Sequence, residues 1–407
     1  MNPIVTTFLL LAGITAFVYT MYGRLFALSG MKWTNRFDNP GERLKGLLLF
    51  GLGQKRMVDP EERTPGTMHV LIFAAFLVLA LRTIMLFSMG FSETLLRVLS
   101  TPTDRFWAHR EGARAVFEAY LFAKDLVALG AVVGSVYFIY LRKVVKPDRM
   151  TRSWEAMLIL GFIIGLMLSE YLFSASQMVL QQRGFTWTEP VTSGVAMLVS
   201  GLPARALWFV GGLAFWTHLS IILTFLNFLP LGKHFHVITG LPNVFVRRLG
   251  PSGKLPTPDL EKEDFGAKTL RDLHWKNGLD LYSCTECGRC QTHCPTYITG
   301  KPLTHKGVNQ DLKHFVWEHQ DQVGGYQTHG TETPELPAIV GNILKADTVW
   351  ACTSCGWCEQ ACPVFIENIP RLIDMRRYKV QVDAEFPPEI QRVFEGIERQ
   401  GNPWGIS

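Results

Sequence analysis

Long apolar stretches with few charges dominate the first part of the chain, up to about residue 231. The first has no charged side chain over residues 3–23, which is long enough to cross a hydrocarbon core of roughly 30 Å. It lacks the basic leader and small-residue cleavage site of a removed signal peptide, so we expect it to be retained. The pattern predicts five membrane-spanning helices at residues 3–23, 64–91, 115–141, 154–180 and 206–231.

Basic residues are distributed unevenly among the loops between these spans. Loops 24–63 and 142–152 carry thirteen Lys and Arg, whereas loops 92–114 and 181–205 carry six. Because loops rich in Lys and Arg stay on the cytoplasmic side, the N-terminus is predicted to lie outside and the C-terminal half in the cytoplasm. The chain is therefore expected to be a multi-pass protein of the cell (inner) membrane, in contact with lipid.

The composition agrees with this organisation. Charged residues make up only 18% of the chain and apolar residues 48%, with a mean hydropathy of +0.14. These values exclude a disordered chain and are unusual for a soluble enzyme. The net charge of +5 is too small to indicate nucleic-acid binding. No glycine-rich nucleotide motif follows a predicted strand, so direct NAD or flavin binding is not indicated.

A few ionisable residues lie inside the predicted spans, namely Arg82, Lys124, Asp125 and Glu170. Charges in hydrocarbon usually face the interior of a bundle and pair with one another, or they line a proton or substrate path. We expect pairing, while a contact with a haem propionate, quinone binding and proton transfer remain open.

Three histidines suggest haem in the membrane part. His218 lies midway along an uncharged run, and His236 follows 18 residues later. Eighteen residues are five full helical turns, so both rings leave the same face about 27 Å apart. His69 is near the start of the second span, at the depth predicted for His236, so this pair is predicted to clamp one haem b. His218 is a candidate for a second haem, with a hydrogen-bonded core histidine as the alternative, and His234 is less suitable because it points about 160° away.

The membrane part resembles the gamma subunit of respiratory nitrate reductase, on residues 218–220 and 229–236. The resemblance implies five spans with haem b ligands on the second and the fifth. That family has a second histidine ten residues after the first on span two, where this chain has Leu79. A second haem at His218 would therefore need another partner, such as His109.

All eight cysteines follow residue 280 and form two copies of the spacing C-x2-C-x2-C-x3-C-P. This is the bacterial signature for [4Fe–4S] clusters, in which the fourth cysteine binds the other cluster of the pair. Zinc also accepts four thiolates, and disulfides would need an oxidising compartment, so both are less favoured. The predicted ligands are Cys284, Cys287, Cys290 and Cys362 for the first cluster and Cys352, Cys355, Cys358 and Cys294 for the second.

The segment around these motifs is predicted to be helical. The 57 residues between the two motifs are too many for a compact ferredoxin of paired hairpins, and residues 308–319, 333–344 and 369–382 have helical periodicity. The predicted fold is therefore all-α: a five-helix transmembrane haem-binding bundle followed by a cytoplasmic α-helical ferredoxin domain. The predicted divisions are 1–241 for the membrane domain, 242–272 for a linker, 273–385 for the ferredoxin domain and 386–407 for a tail.

The cysteine part resembles the ferredoxin module of heterodisulfide-reductase-related membrane oxidoreductases, on residues 284–290, 299–303, 362–367 and 375–378. Among these it is most similar to electron-transfer-flavoprotein:menaquinone oxidoreductases, which fuse such a module to a nitrate-reductase-gamma-like part. Those relatives continue into a further cysteine-rich region. We expect either a separate cysteine-rich reductase subunit or a longer product to supply that region here.

Together the two parts predict a quinone-linked iron–sulfur oxidoreductase, or the electron-transfer subunit of one, in a respiratory chain. Electrons would pass from electron-transfer flavoprotein through two [4Fe–4S] clusters and haem b to menaquinone. The alternative is a quinol-oxidising subunit that delivers electrons to a heterodisulfide or sulfur-compound reductase partner. A redox sensor is disfavoured, because sensing needs no transmembrane haem.

Overall fold

The computed structural model describes residues 2–100, 105–108, 110–251, 254–255, 257, 261, 265–325 and 335–406. Within these ranges every named element is helical, and the only β pairing consists of two isolated bridges. The all-α fold predicted from the sequence is therefore confirmed for the described residues.

Five helices are long and apolar enough to span a membrane, as predicted. The fourth coincides with its predicted span, and the others differ from theirs by a few residues at one or both ends. The five are α1 (Pro3–Ser29), α2 (Arg63–Phe91), α3 (Glu111–Tyr140), α4 (Trp154–Leu180) and, after the shorter α5 (Pro190–Val199), α6 (Ala204–Phe228).

The remaining longer helices follow in the second part of the chain. They are α7 (His236–Phe245), α8 (Trp275–Ser283), α9 (His305–Glu318), α10 (Asn368–Gln381) and α11 (Gln391–Gln400). Short helical segments are Pro40–Gly46, Leu47–Leu52, Pro60–Glu62, Glu93–Ser100, Arg105–Ala108, Leu141–Val145, Leu229–Leu231, Lys233–Phe235, Leu270–Asp272, Arg289–Thr292, Pro295–Ile298, Gln320–Val323, Ile339–Ile343, Ala346–Trp350, Trp357–Gln360 and Pro388–Ile390.

Two of the three helices predicted for the cysteine part are present, as α9 and α10. The third, at 333–344, is wrong for its described residues, and residues 333–334 lie outside the described ranges. Pro337 interrupts a helix because it has no amide N–H, and Gly341 has a φ of 104°. Residues 339–343 consequently form an irregular turn.

The chain divides into two compact units. The first consists of Met1–Tyr22 and Leu49–Val237, and contains most of the apolar helices. Its helices approach closely where one of them carries a glycine. A Cβ on Gly134 of α3 would lie 2.7 Å from the carbonyl oxygen of Met68 on α2. Small residues at such contacts let helix backbones pack in van der Waals contact, as is common for helices in lipid.

The second unit consists of Gly23–Leu48 and Ile238–Ser407, and contains all eight cysteines. The segment that follows α1 is bound to the cysteine part by backbone and side-chain hydrogen bonds. The Lys32 amide donates to the Leu273 carbonyl at 2.9 Å, and the Tyr282 hydroxyl donates to the Arg24 carbonyl at 3.0 Å. Residues 24–48, which the sequence presents as a loop between two spans, are thus an integral part of this unit.

Candidate metal centres

His69 and His236 lie side by side in the first unit. Their ring centroids are 6.5 Å apart, with 39° between the ring planes. Two imidazoles that bind one metal ion from opposite sides through nitrogens about 2.0–2.1 Å from it have centroids separated by roughly 6 Å. The spacing of this pair therefore fits a single iron held between the rings, as in a haem with two histidine ligands.

The hydrogen bond made by His236 also suits a ligand role. Its Nδ1 lies 3.0 Å from the carbonyl oxygen of Lys233, so Nδ1–H donates there and leaves Nε2 for a metal. Histidine ligands commonly have their second nitrogen fixed in this way. Lys233 itself is held by the start of α4, because its amide donates to Glu155 at 2.9 Å and its Nζ donates to Ser153 at 2.6 Å.

His234 and His218 have different surroundings. His234 Nδ1 lies 3.1 Å from Glu155 Oε1, while burial lowers the pKa of His234 and Glu155 partly opposes that shift. His218 is buried in the bundle, and its Nδ1 lies 3.0 Å from the Ser169 hydroxyl. Among the described residues no second imidazole lies against His218, and His109 is outside the described ranges.

The charged residues inside the spans pair with one another, as expected. The Glu170 carboxylate accepts from Arg82 Nε at 2.8 Å and from Lys124 Nζ at 3.1 Å. Asp125 accepts from the Val191 amide and the Thr192 hydroxyl at the start of α5. The partners outside the spans, including Glu189, were not anticipated because nothing local in the sequence marks a loop carboxylate as a buried ion-pair partner.

The first predicted cluster site is a cleft in the second unit with an empty volume of about 400 Å³. Cys284 and Cys362 pack together at its wall, although 78 positions separate them in the chain. The loop that carries the first cysteines has left-handed backbone at Glu286 (φ 59°) and Gly288 (φ 78°). The cysteines that line the cleft are Cys284, Cys287, Cys290, Cys362 and, in addition, Cys358.

The second predicted site uses the same local backbone. Ser354 (φ 55°) and Gly356 (φ 79°) occupy the positions equivalent to those of the first loop, and the Ser354 amide donates to Cys352 Sγ at 3.4 Å. The Thr296 hydroxyl, two residues after Cys294, donates to the Ala351 carbonyl at 2.9 Å. This hydrogen bond brings the end of the first motif to the beginning of the second, where the exchanged ligand is needed.

The electrostatics of the thiols call for a bound cation. Burial raises the pKa of Cys362 to about 12, and burial followed by neighbouring cysteines raises the pKa of Cys290 well above its usual value. Thiolates at these positions therefore need the positive charge of iron, and iron binding must release their protons. In the described part of the chain no three Cys, His, Asp or Glu side chains converge on one ion position. A cubane binds its thiolates at four separate corners, so the donors present fit [4Fe–4S] clusters.

Two cations brace the cysteine loops. Lys313 Nζ is buried and donates to Glu286 Oε1 at 2.8 Å and to the Cys284 carbonyl at 3.3 Å. Arg376 Nη2 donates to the carbonyls of Val349 and Cys352, at 2.7 and 2.6 Å. Both lie far from the motifs in the chain, and their periodic helices were the only sequence signal that pointed to packing there.

We expect Arg376→Ala to weaken the second cluster loop by about 2 kcal/mol, because several main-chain carbonyls lose a charged donor. The second cluster should then be lost about tenfold faster during anaerobic incubation with a chelator, as followed by EPR. Arg377→Ala is the matched control, since Arg377 pairs only locally with Asp374 in the hydrogen bonds described here. Equal rates of loss in the two variants would contradict the bracing role.

Comparisons with known proteins agree with this arrangement. Residues 280–366 match the model of a 4Fe-4S dicluster domain. The chain is 30% identical, over 96% of its own length and 57% of the relative, to the probable iron-sulfur-binding oxidoreductase FadF of Bacillus subtilis. It is 27% identical, over 91% of its length and 54% of the relative, to the EtfAB:quinone oxidoreductase of Syntrophomonas wolfei.

A shorter similarity, 28% over 31% of this chain and 62% of the relative, links it to one component of the ferredoxin:CoB-CoM heterodisulfide reductase of Methanosarcina mazei. The chain spans about half the length of the first two relatives. No solved structure matches it. The chain thus contains a 4Fe-4S dicluster domain and is a relative of membrane-associated iron–sulfur oxidoreductases.

Proposed function

We propose that this chain conducts electrons between a cytoplasmic redox protein and menaquinone, using two [4Fe–4S] clusters and one haem b. The observation that carries the proposal is the pairing of His69 and His236 beside apolar helices, in a chain that also has two sets of buried cysteines. When bound, the clusters and the haem would each supply one-electron redox chemistry.

The residues of the chain have defined tasks in this scheme. Cys284, Cys287, Cys290 and Cys362 would hold the first cluster, and Cys352, Cys355, Cys358 and Cys294 the second. His69 and His236 would hold the haem, with the Lys233 carbonyl fixing the tautomer of His236. The apolar helices keep water from the haem. His218 would hold a second haem only if a partner were supplied by residues outside those described.

We further propose that the cysteine domain lies in the cytoplasm. Loops 24–63 and 142–152 carry most of the basic residues between spans, which favours a cytoplasmic position for both. Residues 24–48 belong to the same compact unit as the cysteines. This supports placing the basic loop and the clusters on one side of the membrane.

Electron-transfer flavoprotein is the proposed donor, because one relative is named for oxidising EtfAB with quinone. We expect reduced electron-transfer flavoprotein to reduce the haem Soret band of the purified chain anaerobically, and added menaquinone to reoxidise it. A variant lacking the first cluster, Cys287→Ala, should retain its haem and reduce it at least tenfold more slowly. Reduction at the wild-type rate in that variant would contradict the proposed route.

The second candidate function is quinol oxidation for a sulfur-compound or heterodisulfide reductase partner. The similarity to a component of a heterodisulfide reductase favours it. In that case menaquinol should reduce the haem rapidly, while electron-transfer flavoprotein should leave the haem oxidised. The same anaerobic spectra therefore separate the two candidates.

A further inference from the structure

A narrow polar void lies within the first unit, at a different depth from the His69–His236 pair. Its empty volume is about 260 Å³, and its walls include Arg82, Phe173, Gln177, Arg183 and Glu189. Arg82 follows His69 by 13 residues on α2, which corresponds to about 20 Å along the helix. The void is therefore distinct from the proposed haem position.

Arg82 presents an unused hydrogen-bond donor at this void. The side chain is buried, with Nε bound to Glu170 at 2.8 Å and Nη2 bound to the Ser174 hydroxyl at 3.3 Å. Its Nη1 is buried and has no hydrogen-bond partner among the described residues. A buried charged donor left unpaired is costly, so an acceptor atom from a ligand would relieve that cost.

The charges around the void leave one cation in excess. Glu170 is bound by Arg82 and Lys124, and Glu189 by Lys124 at 3.3 Å and Arg183 at 2.9 Å. Three cations thus share two carboxylates in this network. A single surplus positive charge in a low-dielectric interior favours an electron-rich oxygen on a neutral ligand over a second full anion.

The chemistry of the walls favours a flat ring with a carbonyl group. The Arg82 guanidinium lies 5.9 Å from the centroid of the Phe173 ring, so a donor and an aromatic face stand side by side. The Gln177 amide on the same wall can donate to a second acceptor lone pair. Because the void is narrow, only the edge of such a ring would enter, with the apolar side chains Leu99 and Leu121 moving aside.

We propose that this void receives the carbonyl edge of the quinone ring, with Arg82 Nη1 and the Gln177 amide as hydrogen-bond donors. The inference rests on the proposed function in taking a quinone as the substrate. It adds the position of the ring and the residues that recognise it. An anionic phospholipid headgroup is the competing occupant, and the test below separates the two.

The experiment uses the full chain in nanodiscs made from a zwitterionic lipid, with a radiolabelled azido-naphthoquinone as photoaffinity probe. We expect the label on peptides that contain Leu99, Leu121 or Gln177. Excess unlabelled short-chain menaquinone should remove it, whereas added phosphatidylglycerol should not.

Two variants test the donors by equilibrium binding of the same probe in the dark. Gln177→Leu keeps the side-chain size and breaks no ion pair, and it should weaken binding about 2- to 10-fold. Arg82→Gln should weaken binding about 10- to 100-fold, because it removes a charged donor. Arg149→Gln is the control, since Arg149 forms a comparable ion pair with Glu62 at 2.7 Å away from the void.

The outcomes distinguish this inference from the proposed function. Saturable binding with label elsewhere, and unchanged affinity in Gln177→Leu, would overturn the inference while leaving the function intact. Loss of label on addition of phosphatidylglycerol would identify the void as a lipid site and also overturn it. Absence of any saturable quinone binding to the haem- and iron-replete protein would overturn the proposed function itself.

Discussion

Replacing His69 by alanine should remove haem b from the protein. The haem content is expected to fall more than tenfold, because one of two axial ligands is lost and water is a poor substitute in an apolar bundle. His236→Ala should have the same effect, since the two rings lie 6.5 Å apart and would share one iron. The measurement is the haem-to-protein ratio of the purified variants, together with their reduced absorption spectra.

His234→Ala is the matched control for this prediction. His234 lies two residues from His236, but its Nδ1 is directed to Glu155. His234→Ala should therefore keep its haem, and so should His218→Ala if the chain binds a single haem. A His69→Ala protein with the wild-type spectrum would exclude His69 as a ligand.

Replacing Cys362 by serine should remove the first cluster and spare the second. Cys362 packs against Cys284 of the first motif, although it belongs to the second motif in sequence. Non-haem iron should fall from about eight to about four atoms per chain. The EPR signal lost in Cys362→Ser should be the one lost in Cys287→Ala.

Cys294→Ser provides the reciprocal test of the exchanged ligands. It should remove the other EPR signal, the one lost in Cys355→Ala, because the segment after Cys294 is bound to the segment before Cys352. If Cys362→Ser and Cys355→Ala instead abolished the same signal, each motif would hold its own cluster. The exchanged assignment would then be wrong.

The sequence predicted the apolar helices well because their signal is local. The fourth span was predicted at its observed limits, where Ser153 caps α4 by accepting from the Ala156 amide. The first was predicted to end near residue 23, yet α1 continues to Ser29. The Arg24 guanidinium lies 4.8 Å from the centroid of the Trp317 ring, a partner almost 300 positions away. No local pattern could reveal that contact.

The candidate metal ligands were also accessible from spacing alone, because clusters and helical periodicity impose short repeats on the sequence. Their supports were not. The Arg376 side chain reaches the carbonyl of Cys352, and Lys313 reaches that of Cys284, through packing between helices. The four charged residues within the spans were expected to pair, but the contribution of Glu189 depends on a loop that folds back onto the bundle.

The most direct test of the account is the absorption spectrum of the purified chain, combined with its haem and non-haem iron contents. The account predicts about one b-type haem and about eight non-haem irons per chain, with the haem reducible through the clusters. A preparation that contains its full non-haem iron but shows no haem absorbance would contradict it.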